Sequence, residues 1–398
     1  MNFEIVLQIF LGGFSGTVVP YEKVEQKLLS VLSRLPVSKV IMGWSPDKSV
    51  YQKTARLLEK KNIEFYLWFS VFSETGKLTS LNPLIDIFGQ KFENAIDHED
   101  EDFLFCCPAE VANTERILNI FEEKFSSIPF TGVFLDKIRY PSFAQTQAGG
   151  DGKRSVFTCF CPRCQAIYKK ENFDFTELKT VLSNSADAAT PLGITGYRGN
   201  GEYSFSEPAI SRFFSIKADL VYKSMRQICA FFRQKGLRIG FDVFAPFLSP
   251  FVGQNLPLLG GLCDFIKPMM YRLTNAPAGL PFETEALLTG CGCVDPFKKQ
   301  RFYDILGFDP SQKVFDLDFT VKELNRLTAS STCPVYAGLE INRIENLAEV
   351  DPAYIEETAK AYASSGVRGL VLSWDLLEAP EENIQRVVDI HGQLSQRS

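Results

Sequence analysis

Residues Thr131 to Pro141 read TGVFLDKIRYP. A short apolar run, Gly132 to Leu135, leads directly into Asp136, Lys137, Arg139, Tyr140 and Pro141. A strand buried on both faces of a parallel sheet reads as such a continuous apolar run. Charged groups crowded at its C-terminal end are costly unless that end opens into a site. The stretch therefore predicts a barrel strand with Asp136 at the mouth.

Seven further runs have the same character: Glu4–Phe10, Lys39–Trp44, Glu64–Ser70, Leu237–Phe244, Cys263–Tyr271, Pro334–Ile341 and Val367–Asp375. With Thr131–Pro141 as the fourth, they make the eight strands that a TIM (β/α)8 barrel requires. Helical patterns separate them. Val24, Leu28, Val31 and Leu32 follow Pro20 at helical spacing, and Thr54–Lys61, Asn113–Phe125, Glu207–Gln234 and Pro380–His391 read as helices. Asp351 and Pro352 form a cap and first-turn proline, and Gly366 stops that helix. Strand–helix alternation of this kind implies parallel pairing with right-handed crossovers. Two long insertions, 142–206 after the fourth strand and 272–300 after the sixth, fall on the face where such barrels carry their sites. The expected organisation is one elaborated barrel domain over residues 1–398.

The 398 residues carry a net charge of −6, which gives no basic field for nucleic acid. Only two histidines are present, which argues against a metal-dependent hydrolase barrel built on several imidazoles. No apolar run is long enough to span a membrane. The first residues, MNFEIVLQIFLGG, lack a basic segment and cleavage pattern and read as a first strand. With ten cysteines and no secretory signal, the expectation is reduced thiols in a cytoplasmic protein. The oligomeric state is not legible.

Side chains of a barrel strand alternate between the lumen and the helix layer. Asp136 shares a phase with Phe134 and Gly132, Asp242 with Gly240, and Glu340 with Tyr336 and Gly338; Lys267 shares one with Tyr271. At the eighth strand, Trp374 and Asp375 lie in opposite phases, and the pattern leaves open which points inward. Carboxylates thus end strands four, five, seven and eight; Trp44, Trp68, Phe244, Tyr271 and Trp374 supply aromatics at five strand ends. Carboxylates ringed by aromatics suit glycoside hydrolysis, which needs two carboxyl groups across the scissile bond. Arg139 and Lys267 are suited to holding a carboxylate ionised or to binding an acidic sugar. Taken singly, each Asp can equally be a helix cap or ion-pair partner, and each aromatic a core residue.

Asp136-Lys-Ile-Arg139-Tyr140-Pro141 resembles the D-Y-[IV]-R-[FY]-P signature of a bacterial family of glycoside hydrolase barrels. GFDVFAP at 240–246 is similar to that family's Asp-Val-Phe-Gly element, with Ala245 in place of Gly, and DFIKPMMY at 264–271 to its D-[YF]-I-x-P-M-x-Y element. CPAEVANTERI, from Cys107, resembles its C-P-x-x-P-x-x-R segment, with Val111 in place of Pro. The resemblance spans strands three to eight. A weaker one runs to family 18 hydrolases, whose Met-x-Tyr and strand-eight Trp match Met269, Tyr271 and Trp374; Arg139, however, stands where their catalytic glutamate belongs. The first resemblance implies Asp136 and Asp242 as the catalytic pair, with Asp136 as nucleophile or base. Glu340 is a third candidate from position alone, and either Asp242 or Glu340 would be the acid. Lys137 departs from the usual Tyr. The expected substrate-binding residues, from their places at the strand ends, are Trp44, Trp68, Arg139, Tyr140, Phe244, Lys267, Tyr271, Trp374 and Asp375.

Cys159, Cys161 and Cys164 form C-x-C-x2-C, a spacing that folds three thiolates around one tetrahedral zinc ion. Cys107 or Cys106 is the natural fourth ligand. One upstream Cys plus C-x-C-x2-C after strand four resembles the zinc cluster of family 42 β-galactosidases. The expected cofactor is a structural Zn2+ that staples the insertion to the barrel, with no organic cofactor. Cys291 and Cys293 form a weaker pair.

The leading functional expectation is a glycosidase acting on an oligosaccharide, polysaccharide or glycoside. Two others compete: a carbohydrate-binding barrel without chemistry, and an aldolase-type lyase using Lys267 as a Schiff base.

Overall fold

The computed structural model describes residues 3–13, 18–74, 81–92, 104–145, 156–184, 188–312 and 314–395. Its centre is an eight-stranded parallel sheet: β1 Glu4–Phe10, β2 Val37–Gly43, β3 Glu64–Ser70, β4 Gly132–Asp136, β5 Arg238–Val243, β6 Phe265–Pro268, β7 Tyr336–Glu340 and β8 Gly369–Ser373. The strands lie in the order 6-5-4-3-2-1-8-7. One parallel bridge, Ile266 to Val335, brings β6 against β7, and the Ile266 N–H donates to the Pro334 carbonyl at 3.0 Å. With that bridge the sheet wraps into the expected TIM barrel.

Apolar side chains fill the lumen. Val6, Ile41, Tyr66, Phe134, Phe265, Tyr336 and Val371 form a cluster of their own, separate from the core between the strands and the helices. The Phe134 and Phe265 rings stack across the axis, with centroids 5.8 Å apart. Below them an ion network closes the N-terminal end. Glu4 accepts from Lys39 at 2.7 Å, from Arg368 at 2.7 Å and from the Tyr336 hydroxyl at 2.8 Å. The barrel is therefore plugged, and chemistry is confined to its ends.

Every strand read from the sequence is present with its ends shifted by no more than three residues, except at the C-terminal end of the fourth, which stops at Asp136, five residues short; the sixth and eighth also shed short tails, Met269–Tyr271 and Trp374–Asp375. Those tails turn out of the sheet to form the C-terminal rim. The helices differ more. The second spans Lys48–Glu59 and begins six residues before Thr54, because the Asp47 side chain accepts from the Ser49 N–H and caps it. Helix Leu317–Ser330, capped by Asp316, had no counterpart in the sequence reading.

The insertion read at 142–206 carries helices Pro162–Lys170 and Phe175–Asn184 and a hairpin, Ile194–Tyr197 with Tyr203–Phe205; parts of it lie outside the described residues. The one read at 272–300 holds helix Leu280–Gly290 and the start of Pro296–Leu306. A third excursion, after β3, was not anticipated; there Ser73–Glu74 pairs antiparallel with Leu104–Phe105.

Candidate active site and cysteine cluster

Strand register sets the site. Leu135 pairs with Phe241, so Asp136 and Asp242 stand next to one another on adjacent strands. Ser70 pairs with Asp136 on one side, and Lys267 with Asp242 on the other. Four polar side chains from β3 to β6 thus occupy one lumen layer above the aromatic plug. The two aspartates turn apart. Asp136 accepts from the Trp68 indole N–H at 3.0 Å and from the Lys137 backbone N–H. Asp242 binds Lys267, whose Nζ lies 3.1 Å from both carboxylate oxygens.

The Asp242–Lys267 pair is fully enclosed. Lys267 also donates to Gln8 Oε1 at 3.2 Å and to the Tyr271 hydroxyl, and Ser373 Oγ donates to the same Gln8 oxygen at 3.1 Å. Burial pushes the Asp242 carboxyl up to about 7, against the pull of Lys267 and reinforced by the charge of Asp136. Burial pushes the Lys267 ammonium down, partly offset by Asp242 and Asp136. With no exposed surface and its ammonium engaged by these oxygens, Lys267 is placed as an ion-pair partner beneath the mouth rather than as an accessible amine.

Aromatic side chains line the rim over Asp136. Trp44 and Trp68 are 4.9 Å apart, and Phe10 meets them at 5.3 and 6.0 Å. Lys137 has a left-handed backbone, φ 50°, and its ammonium lies 4.5 Å from the Trp44 ring centroid. Asp136 and Trp68 each retain 7 % exposure and Ser70 8 %, against 2 % for Asp242 and none for Lys267. Trp44 Nε1 and Ser70 Oγ are buried and have no hydrogen-bond partner among the described residues.

The other anticipated residues lie elsewhere. Glu340 is fully buried and serves as an anchor for the chain leaving β6. It accepts from the backbone N–H groups of Arg272 (2.7 Å), Leu273 (3.0 Å) and Thr274 (2.7 Å), from Thr274 Oγ1 (2.7 Å) and from the Tyr354 hydroxyl. Asp375 caps a single 3-10 turn, accepting from the N–H groups of Leu377 at 3.0 Å and Phe10 at 3.1 Å. Arg139 lies beneath the rim, its guanidinium 4.4 Å from the Phe244 ring centroid and 5.0 Å from that of Phe105, and it donates to Gln145 Oε1 at 2.9 Å. Tyr140 faces the insertion, under the Lys217 ammonium. Trp374 is half-buried at the end of β8, while Ser373 takes the inward phase toward Gln8. Tyr271 is buried against Lys267.

Gln8 and Ser70 belong to the site layer and escaped the sequence reading. Gln8 carries a recoverable signal: after Glu4 it is the one polar residue of EIVLQIF, and it shares the inward phase of Val6.

A second constellation lies between the segment after β3 and the insertion after β4. The sulfurs of Cys107, Cys159, Cys161 and Cys164 are buried and all lie within 4.8 Å of one another. Cys107 Sγ is 3.4 Å from that of Cys164 and 3.8 Å from that of Cys161. Sulfurs at tetrahedral corners around an ion ~2.3 Å away stand about 3.8 Å apart, so the set fits a metal ion. Cys107, not Cys106, completes the four. Backbone N–H groups of Ile85 and Cys161 point at Cys159 Sγ, both at 3.4 Å, as donors around a thiolate do.

No family model matches the chain, and no curated protein matches it. Solved structures share its fold. The glycoside hydrolase domain of PgaB (BpsB) from Bordetella bronchiseptica superposes with a TM-score of 0.60 at 11% identity, covering 98% of this chain and 99% of that one. α-L-Fucosidase isoenzyme 2 from Paenibacillus thiaminolyticus gives a TM-score of 0.50 at 10% identity, covering 99% of this chain and 49% of that one. Both are similar in fold, and at these identities the likeness carries no residue of one chain onto another.

Proposed function

We propose that this protein is a glycoside hydrolase whose reacting carboxylate is Asp136 and whose second carboxyl group is Asp242. One observation carries the reading. Asp136 is the carboxylate of the lumen layer that reaches the rim, and it does so beneath Trp68 and Trp44, beside a carboxyl group whose proton affinity is raised to about 7. Glycoside hydrolysis needs that asymmetry: one group to attack the anomeric carbon or activate water, the other to protonate the leaving oxygen near neutral pH. Asp136 is the nucleophile or base. Asp242, held by Lys267, is the proton donor.

The surroundings suit a sugar. Indole faces stack on the apolar C–H faces of a pyranose. The unpaired Trp44 Nε1 and Ser70 Oγ are free to pair with substrate hydroxyls, which would relieve the cost of burying them alone. The Lys137 ammonium at the rim favours a sugar or aglycone with acidic or strongly polar substituents. The carbohydrate-hydrolase likeness of the structural neighbours agrees at the level of fold.

Glu340 is set aside as a catalytic group because all of its acceptor capacity is used by the 272–274 backbone and two hydroxyls. Lys267 is set aside as a Schiff-base former because its ammonium protons are engaged by Asp242, Gln8 Oε1 and the Tyr271 hydroxyl. The four cysteines hold a structural zinc ion in this reading. It ties the loop at Cys107 to the insertion and takes no part in the reaction.

The test is Asp136→Asn against a panel of aryl glycosides and polysaccharides on which the wild type shows turnover. The variant should lose at least about 10³-fold in kcat while its melting temperature stays within a few degrees. Undiminished turnover would refute the assignment.

A further inference from the structure

At the opposite end of the barrel two cysteines face each other across the β6–β7 seam. Cys263 lies in the turn before β6, and Cys333 in the loop between helix Leu317–Ser330 and β7. They are 70 residues apart in sequence, and their sulfurs are 3.7 Å apart. This is also the thinnest joint in the barrel wall, since β6 meets β7 through the single Ile266–Val335 bridge while other neighbouring strands pair over four or more residues.

The two thiols differ in access. Of the ten cysteines, nine are buried, and Cys333 is the partly exposed one. It lines a cavity of about 1020 Å³ that opens at the N-terminal end of the barrel, together with Lys39, Arg238, Lys360, Arg368, Glu4 and Asp264. Cys263 is buried behind it, with its Sγ directed toward the Leu259 carbonyl at 3.7 Å.

We propose that Cys333 and Cys263 form a thiol–disulfide exchange site, with Cys333 as the attacking thiol and Cys263 as the resolving one, and that its co-substrate is a small disulfide that enters the cavity beside Cys333. In the first step the Cys333 thiolate attacks one sulfur of the small disulfide. The S–S bond breaks, one thiolate leaves, and a mixed disulfide remains on Cys333. In the second step Cys263 gives up its proton to the departing thiolate and attacks the Cys333 sulfur. The second small thiol is expelled, and a Cys263–Cys333 disulfide forms. Two protein thiols are oxidised, and one small disulfide is reduced to two thiols.

The geometry supports each step. Hydrogen bonds from Cys263 and Ser331 hold the Cys333 thiol down at about 7, while burial pushes Cys263 up, which separates attacking from resolving roles. Closing the bond requires the sulfurs to approach by roughly 1.7 Å, to the ordinary S–S length near 2.05 Å, and both residues lie outside strands and helices. The product closes a long loop and clamps the seam, which raises thermal stability.

The test treats the intact 398-residue chain with glutathione disulfide, blocks remaining thiols by alkylation and maps the peptides by mass spectrometry. The wild type should yield a Cys263–Cys333 cross-linked peptide, reversible by dithiothreitol, and a melting temperature raised by a few degrees. Cys263→Ser should accumulate the glutathione adduct on Cys333, and Cys333→Ser should leave Cys263 unmodified. If Cys263→Ser does not fold, the wild-type time course replaces it: an adduct on Cys333 should appear first and decay into the cross-link. Full alkylation of Cys333 after treatment, or a Cys333 adduct in the wild type that never converts to the cross-link, would overturn the proposal. None of these readouts depends on glycosidase activity.

Discussion

Replacing Glu340 separates an architectural carboxylate from a catalytic one. Among the described residues its side chain is the partner of the Arg272, Leu273 and Thr274 N–H groups as the chain leaves β6, and it also receives Thr274 Oγ1 and the Tyr354 hydroxyl. In Glu340→Ala these donors lose their acceptor inside a site with no solvent exposure. A buried donor left unpaired costs about 1–3 kcal/mol, so three backbone groups bring the expected loss to roughly 3–6 kcal/mol after some relaxation or water entry. Glu340→Gln keeps one oxygen but turns an NH2 toward donors, and should cost about half as much. Urea unfolding followed by circular dichroism measures both. With the carboxylate acting as an anchor, the midpoint falls in the order wild type, Gln, Ala. The Gln variant, assayed well below its melting temperature, should keep turnover within about tenfold of wild type. A Glu340→Gln protein as stable as wild type but catalytically dead would refute the reasoning and restore Glu340 to the reaction.

Four other outcomes are expected. Asp242 is raised from 3.8 to about 7, so the fold retains a proton there that the unfolded chain has released. The contribution is fully present below pH ~4 and is lost as pH rises through about 7, on the order of a few kcal/mol. Asp242→Asn should flatten that part of the stability–pH curve measured by urea midpoints, and an identical slope in both proteins would count against the buried pair. Gly338→Ala would place a Cβ 2.9 Å from Lys267 Cε and 3.1 Å from both the Pro268 carbonyl and the Tyr271 ring. It should cost about 1–3 kcal/mol by overpacking and reduce kcat more than it alters KM, as measured by denaturation and steady-state kinetics. Metal analysis should find one zinc per chain, and Cys161→Ser or prolonged chelation should remove it and lower the melting temperature. Lys217 donates to the Phe251 carbonyl at 3.1 Å and to the Val156 carbonyl from within a fully buried site. Lys217→Met should therefore cost about 1–3 kcal/mol by stranding two acceptors, as scanning calorimetry can read.

Strand phase was legible wherever side chains obey simple alternation. Asp136 with Phe134, Asp242 with Gly240 and Lys267 with Phe265 all fall in the lumen layer, as a period of two requires. The cysteine spacing was equally legible, because C-x-C-x2-C constrains three sulfurs locally. Phase failed as a guide to role at Glu340, which has the right phase yet is captured by three N–H groups from another loop. It failed again at Arg139 and Tyr140, which follow β4 immediately but turn under Phe244 and Lys217. Gln8 was passed over for the opposite reason. A single polar residue in an apolar strand looks incidental until Lys267 and Ser373 are seen to need its oxygen.

The barrel, the strand ends that carry charge and three of the four clustered sulfurs follow from the chain alone, because hydrophobic periodicity and short ligand spacing are local properties of a chain. The tertiary structure decided which carboxylate faces the rim and which is an anchor, that Cys107 completes the sulfur set, and that Cys263 meets Cys333. Each of those depends on partners tens to hundreds of residues away, and only the closed register of β1 to β8 brings them together.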